Sequence, residues 1–223
     1  ITKGGSFRWG RRFKWPDDYF RGSWSFTAHQ RIYEADNDEQ LQLYTGGLNE
    51  TVGVSITQSI SRDSRDHPEF PTIGSLMAIS SSISGGPLGG NEDFHKHVLN
   101  LEWYTPTIWK FVLMSSVKIG GIKTLPSDDG KRSMVPFNER FIMGGSGMVY
   151  GNPLRGYEDN RVGPLPSSGG PFGGNALIKI TSEFRVPFSE NPVVYGMLFA
   201  EMGNVWIESH LQEKFNLARI GPL

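Results

Sequence analysis

His95 and His97 stand two residues apart with Lys96 between them. On an extended strand that spacing puts both imidazoles on one face, where they could supply part of a zinc ligand set. No third ligand is evident beside them, and two histidines near a strand start read more simply as an exposed loop edge. The run Asp63-Ser64-Arg65-Asp66-His67 holds every residue type of a hydrolase triad. Triads are assembled in space from separate parts of a chain, and five consecutive residues in a turn do not make one. Ser84-Gly85-Gly86-Pro87-Leu88-Gly89-Gly90-Asn91 nearly repeats as Ser168-Gly169-Gly170-Pro171-Phe172-Gly173-Gly174-Asn175. A phosphate cradle would need a helix start or a lysine after it, and neither follows. These runs read as tightly turned backbone before a strand. The expectation is therefore a protein with no catalytic residue, no metal site and no cofactor. The remaining candidate is Arg155-Gly156-Tyr157 in a long glycine-rich segment. A guanidinium is a planar fork of donors that two carboxylates can satisfy, so its value depends on what the fold places around it.

The elements that must do the placing are strands. From Thr51 to Ile60 one face carries Val52, Val54, Ile56 and Ile60, and the other carries Thr51, Gly53, Ser55, Thr57 and Ser59. The same period of two sets Phe20, Gly22, Trp24, Phe26 and Ala28 against Arg21, Ser23, Ser25, Thr27 and His29. It also sets Ala176, Ile178, Ile180, Phe184 and Val186 against Leu177, Lys179, Thr181, Glu183 and Arg185. Together with weaker copies this predicts eight strands, at about 4–15, 19–33, 50–62, 74–85, 95–105, 109–120, 175–186 and 193–203. No segment has helical spacing, and the Gly, Ser, Thr and aromatic content suits strands.

Short proline-bearing connections, such as Trp15-Pro16-Asp17-Asp18 and Phe70-Pro71-Thr72-Ile73-Gly74, alternate with long ones at about 34–50, 86–94 and 121–174. Antiparallel strands would then have all short turns at one end and all long loops at the other, as in an outer-membrane barrel. Phe13, Trp15, Tyr19 and Phe20 near one turn, and Trp103, Tyr104 and Trp109 near another, resemble an interfacial aromatic girdle. A soluble antiparallel sandwich also alternates, but strand length and these aromatics count against it.

Composition agrees with this division into faces. Glycine makes up 28 of the 223 residues, well above the usual share of about 7%. The 22 Lys+Arg and 23 Asp+Glu leave a net charge of -1, which argues against nucleic acid as a partner. The absence of cysteine excludes disulfides and thiolate metal sites. No apolar run approaches the roughly 18 residues of a membrane-spanning helix, whereas a membrane strand needs only about 9 to 11. Segment 121–174 exceeds fifty residues and is not a disordered tail, because it holds Met134, Val135, Phe137, Phe141, Ile142, Met143, Met148, Val149, Tyr150 and Tyr157. It is expected to fold back onto something.

One ordered set of motifs carries a resemblance. Gly144-Gly145-Ser146-Gly147, Leu154-Arg155-Gly156-Tyr157, Gly163-Pro164, Gly173-Gly174-Asn175, Glu183-Phe184 and Met202-Gly203-Asn204-Val205-Trp206 follow one another in this order. So arranged, they resemble the sixth extracellular loop of the BamA family of outer-membrane assembly barrels and the two strands after it. Gly10-Arg11-Arg12, Trp15 to Phe20 and Phe70 to Ser75 resemble turn sequences of the same family, so the likeness runs from about residue 7 to 206. It implies that Arg155 reaches down inside the barrel and pairs with acidic residues of the wall, which by motif position are Glu183 and Glu201. The alternation independently puts Glu183 on the polar face, and an acid at 201 is disfavoured against lipid. Leu154 stands where the family commonly has valine, and Glu201 where it commonly has aspartate.

What the resemblance implies for the whole is a transmembrane β-barrel of the bacterial outer membrane. The eight strands would match the middle of a roughly sixteen-stranded barrel, with its seam and periplasmic POTRA domains outside residues 1–223. Its work would be non-enzymatic folding and insertion of client outer-membrane β-barrel proteins, with accessory assembly lipoproteins and outer-membrane lipid as partners. A related polypeptide translocase of the two-partner-secretion or TamA-like kind would share the Arg-Gly-Tyr loop. A passive porin would not need an inward arginine.

Overall fold

The structure is a computed structural model that describes residues 1–33, 48–126, 135–146, 151–164, 172–190 and 193–207. Most of the predicted loop 34–50, the residues Met134, Gly147, Met148, Val149, Tyr150, Ser168 to Pro171, Asn191 and Pro192, and the last sixteen residues lie outside them.

Eight strands follow one another: β1 (Thr2–Arg12), β2 (Phe20–Ile32), β3 (Glu50–Asp63), β4 (Gly74–Ser84), β5 (Phe94–Pro106), β6 (Val112–Thr124), β7 (Ala176–Glu190) and β8 (Val193–Trp206). They form one antiparallel sheet in the order β1-β2-β3-β4-β5-β6-β7-β8, and each strand pairs with its neighbour in sequence. With 11 to 15 residues apiece, they are twice the length of an ordinary globular strand of about 5–6 residues. β1 and β8 do not pair with each other among the described residues, so the sheet is an open arc of a barrel wall.

The pairing register fixes which side chains share a face. Ile60, Ile79, Leu99, Ile119 and Ile178 lie in one row across β3 to β7. Ile79, Ile119 and the neighbouring Ile180, Leu198 and Met202 are between 40% and 74% exposed, which for large apolar residues in one continuous band is the mark of a lipid-facing surface. On the opposite face Thr57 Oγ1 donates to Ser82 Oγ at 2.9 Å, and Ser59 and Ser80 share a hydrogen bond at 3.0 Å. The barrel is thus apolar outside and polar inside, the reverse of a soluble domain. Placing a charge at Ile119, halfway along β6, should cost about 2–4 kcal/mol. Ile119→Arg is expected to lower the denaturant midpoint of the vesicle-embedded protein, whereas a midpoint equal to wild type would mean that this face does not meet lipid.

The buried core lies on the lumen side. Phe94 of β5, Ile122 of β6, Leu177 of β7 and Val205 of β8 pack against Val135, Phe141, Met143 and Leu154 of the long β6–β7 loop. The predicted fold-back of that loop is therefore onto the inner wall. β6 continues to Thr124, so the loop starts four residues later than the predicted 121. The extra length is held on both sides: Gly121 still pairs with Ala176 of β7, and Ile122, Lys123 and Thr124 pair with Lys96, His95 and Phe94 of β5.

The connections do sort by end, although less cleanly than the sequence suggests. The β3–β4 turn (64–73) is as long as the β4–β5 loop (85–93). That turn is closed by Asp66, which accepts from Thr72 N, Thr72 Oγ1 and Ile73 N. Partial burial opposes ionisation there, but these donors outweigh it and hold the carboxyl below its ordinary pKa. The five-residue run 63–67 is accordingly a turn scaffold, with Arg65 bidentate to Asp63 at 2.8 and 2.9 Å. Phe70 of the same turn reaches Tyr195 on the inner face of β8, with ring centroids 4.7 Å apart. Contact between elements four strands apart shows how strongly the sheet curls.

Candidate functional site

Arg155 arrives at the wall because the loop around it is itself structured. Met143 bridges both Asn152 and Val162, and Gly145 bridges Leu154, which makes a small three-segment sheet within the loop. Gly144 and Gly145 take φ of 129° and 77°, conformations that a side chain would strain. Lys118 of β6 holds this unit from the wall, donating from Nζ to Asn152 Oδ1 at 2.7 Å. Leu154, only 1% exposed, then anchors the residue before the arginine in the lumen core.

With its backbone pinned on both sides, Arg155 projects onto β7 and β8. Its Nη2 donates to Glu183 Oε1 at 2.6 Å and to Glu201 Oε1 at 2.9 Å. Its own backbone N–H donates to Glu201 Oε2 at 2.8 Å, so one carboxylate spans the arginine's main chain and side chain. Phe199 lies beneath the guanidinium, 3.8 Å from Cζ to the ring centroid, an arrangement that adds cation–π attraction. Glu183 and Glu201 are 9% and 4% exposed, and Arg155 is 28% exposed.

Carboxylates so far out of water need full coordination. Glu201 also receives Lys179 Nζ at 3.2 Å and Thr181 Oγ1 at 3.3 Å. Glu183 also receives Arg185 Nε at 3.0 Å and Nη2 at 2.8 Å. Arg185 in turn lies over the rings of Tyr104 and Tyr195. Three cations thus face two anions on one patch of inner wall. Lys179, Thr181 and Arg185 share the alternation face of Glu183, so that signal for them was present in the sequence. Phe199 and Met197, which touches Arg155 through its sulfur at 3.4 Å, share the face of Glu201 by alternation, but nothing in their residue types pointed to an arginine.

The structure therefore brings Arg155, Glu183 and Glu201 together, and it separates Tyr157 from them. Tyr157 is 49% exposed, and its backbone N–H closes a turn on Leu154 O at 3.4 Å. Gly156 sits at φ 89° with open space where a Cβ would be, so it is required for the turn and not for room. The histidine pair is placed differently from the sequence reading. His95 and His97 lie within β5 on the outward face, with ring centroids 5.2 Å apart, and not on a loop edge. The predicted strand start at 95 fell one residue late, since Phe94 already pairs with Ser84. Among the described residues no cluster of three metal-ligating side chains forms.

A curled antiparallel wall, apolar outside, with a long loop folded into the lumen and tied there by an arginine, defines a class: an outer-membrane β-barrel with an internal loop. The chain belongs to the Omp85 superfamily, whose domain it matches over residues 2–219. It is 27% identical over 195 residues to the outer membrane protein assembly factor BamA of Nitratidesulfovibrio vulgaris, covering 86% of this chain and 23% of that protein. It is 29% identical over 153 residues to BamA of Neisseria meningitidis serogroup B, covering 65% of this chain and 18% of that protein. The chain thus spans about a fifth of the length of these curated relatives. In fold it is similar to the crystal structure of BamA from Haemophilus ducreyi lacking POTRA domains 1-3, at a TM-score of 0.71 and 18% identity, over 98% of this chain and 44% of that one.

Proposed function

We propose that these eight strands are the central wall of a barrel that folds and inserts other β-barrel proteins into the bacterial outer membrane. The observation that carries the reading is the pinned loop: Arg155 held by Glu183 and Glu201 in a chain of the Omp85 superfamily. A loop docked on the inner wall narrows the lumen and braces the strands it touches. The brace keeps the central strands rigid while work is done elsewhere on the barrel. No bond is made or broken in this scheme, so the protein acts without catalytic residues or cofactor. The work itself needs a free strand edge on which client strands pair. This reading assigns that edge to barrel strands other than these eight, and client delivery to periplasmic POTRA domains. Partners of this reading are unfolded client β-barrel proteins, accessory assembly lipoproteins and the surrounding lipid.

The test is reconstitution of the intact protein in lipid vesicles with an unfolded outer-membrane client. Folded, protease-protected client should accumulate about tenfold faster than in empty vesicles. Client recovered in the vesicle interior in place of the membrane would support the polypeptide-translocase reading, and no acceleration at all would support a passive barrel.

A further inference from the structure

A second set of buried charges lies nearer the long-loop end of the lumen than the mid-wall Arg155. Glu92, in the β4–β5 loop, is 1% exposed. Its carboxylate accepts from Thr51 Oγ1 at 2.6 Å and Arg31 Nη1 at 3.2 Å, and meets His29 Nε2 at 3.1 Å. His29, Arg31 and Thr51 all belong to the inward face, because Arg31 pairs with Thr51 and His29 with Gly53 in the same register as the lumen serines. Gly53 makes room for the arrangement. A Cβ there would lie 2.4 Å from His29 Cε1 and 2.5 Å from Glu92 Oε2. Arg31 does not stop at Glu92. Its Nη2 lies 3.6 Å from Glu139 Oε1 in the long loop, and the same glutamate receives Lys96 Nζ of β5 at 3.3 Å on its carboxylate and 2.9 Å on its carbonyl.

The chain of contacts Glu92–Arg31–Glu139–Lys96 therefore crosses the lumen face from β2 to β5 and holds the first part of the long loop there. Arg155 holds a later part against β7 and β8. We propose that Glu139 is an upper anchor of the long loop, that Glu92 is a positioning residue that orients Arg31 toward it, and that this upper set closes the long-loop mouth of the lumen independently of Arg155. Glu92 suits the role because Thr51, Arg31 and His29 hold it and solvent cannot compete for it. Glu139 suits it because, at 28% exposure, it can release without leaving an isolated buried charge. The inference needs only the barrel and its loop, and does not rest on the assembly function.

The experiment is ion conductance of the intact protein in planar bilayers, with heat-modifiable mobility as the check on folding. Glu139→Gln and Glu92→Gln are expected to raise the open-state fraction about tenfold. The chain has no cysteine, so Lys96→Cys with Glu139→Cys can be joined by a short bis-maleimide. The unjoined pair should conduct, and bridging should restore closure. If Glu92→Gln fails to fold, the Glu139→Gln variant and the bridged pair decide. Wild-type closure in folded Glu139→Gln and in the unjoined cysteine pair would overturn the proposal, as would bridging that leaves an open pore open.

Discussion

Replacing Arg155 with alanine is expected to lower barrel stability by about 3 kcal/mol, the lower end of the cost of breaking a buried ionic set. The figure sits low because neither carboxylate is orphaned. Glu201 keeps Lys179, Thr181 and the backbone N–H of residue 155, and Glu183 keeps Arg185. What disappears is the link between loop and wall, including the stack on Phe199. Arg155→Lys should recover less than half of the loss, because one ammonium cannot fork between two carboxylates while lying over a ring. A double-mutant cycle of Arg155→Ala with Glu201→Gln should give a coupling of about 1–3 kcal/mol, as for residues in one ionic network. The readouts are heat-modifiable mobility and growth of a depletion strain complemented by the variant. Wild-type behaviour in both would remove the clamp from the account.

The second large effect concerns space. Gly120 lies on the inner wall of β6, and a Cβ added there would stand 2.4, 2.8 and 2.9 Å from ring atoms of Phe141. Gly203 on β8 is closed in differently, by the carbonyl oxygen of Ile178 at 2.9 Å and the Sδ and Cε of Met143 at 3.1 Å. At Gly120 the obstacle is the packed ring alone, which cannot turn aside as a thioether can. Gly120→Val is therefore expected to cost about 2–3 kcal/mol, within the usual range for overpacking, and to undock the first part of the loop from the wall. Limited proteolysis from the loop side should then cut within 125–175 at least tenfold faster. Gly120→Ala combined with Phe141→Leu should restore protection, since it trades ring volume for the new methyl. A loop equally protected in Gly120→Val would mean that Phe141 does not fill this gap.

The division of labour between sequence and fold shows in individual residues. Alternation placed Glu183, Lys179 and Arg185 on one polar face before any pairing was known, because a strand turns every second side chain the same way. It also foretold the lipid surface, since Ile60, Ile178 and Ile180 stand out of phase with those charges. Strand ends were less legible. β6 outran its expected end because Gly120, Gly121 and Ile122 carry no polar alternation, and their pairing is decided by partners on β5 and β7.

The upper charge set illustrates the limit. Glu92 stands after a glycine run, Glu139 in a loop and Arg31 on a strand, and nothing in their spacing says that they meet. Register brings Arg31 beside Thr51, loop closure brings Glu92 to both, and only the docking of the long loop brings Glu139 within reach. The pairing of Arg155 with Glu183 and Glu201 is intermediate: the order of motifs pointed to the partners, while the backbone bond to Glu201 and the seat on Phe199 did not show. The sequence by itself determined the strands, their two faces and the loop that had to fold back, because those are set by neighbours along the chain. The tertiary structure alone decided which buried charges find one another, because a contact between residues as far apart in sequence as Arg31 and Glu139 depends on where both ends of the intervening chain are held.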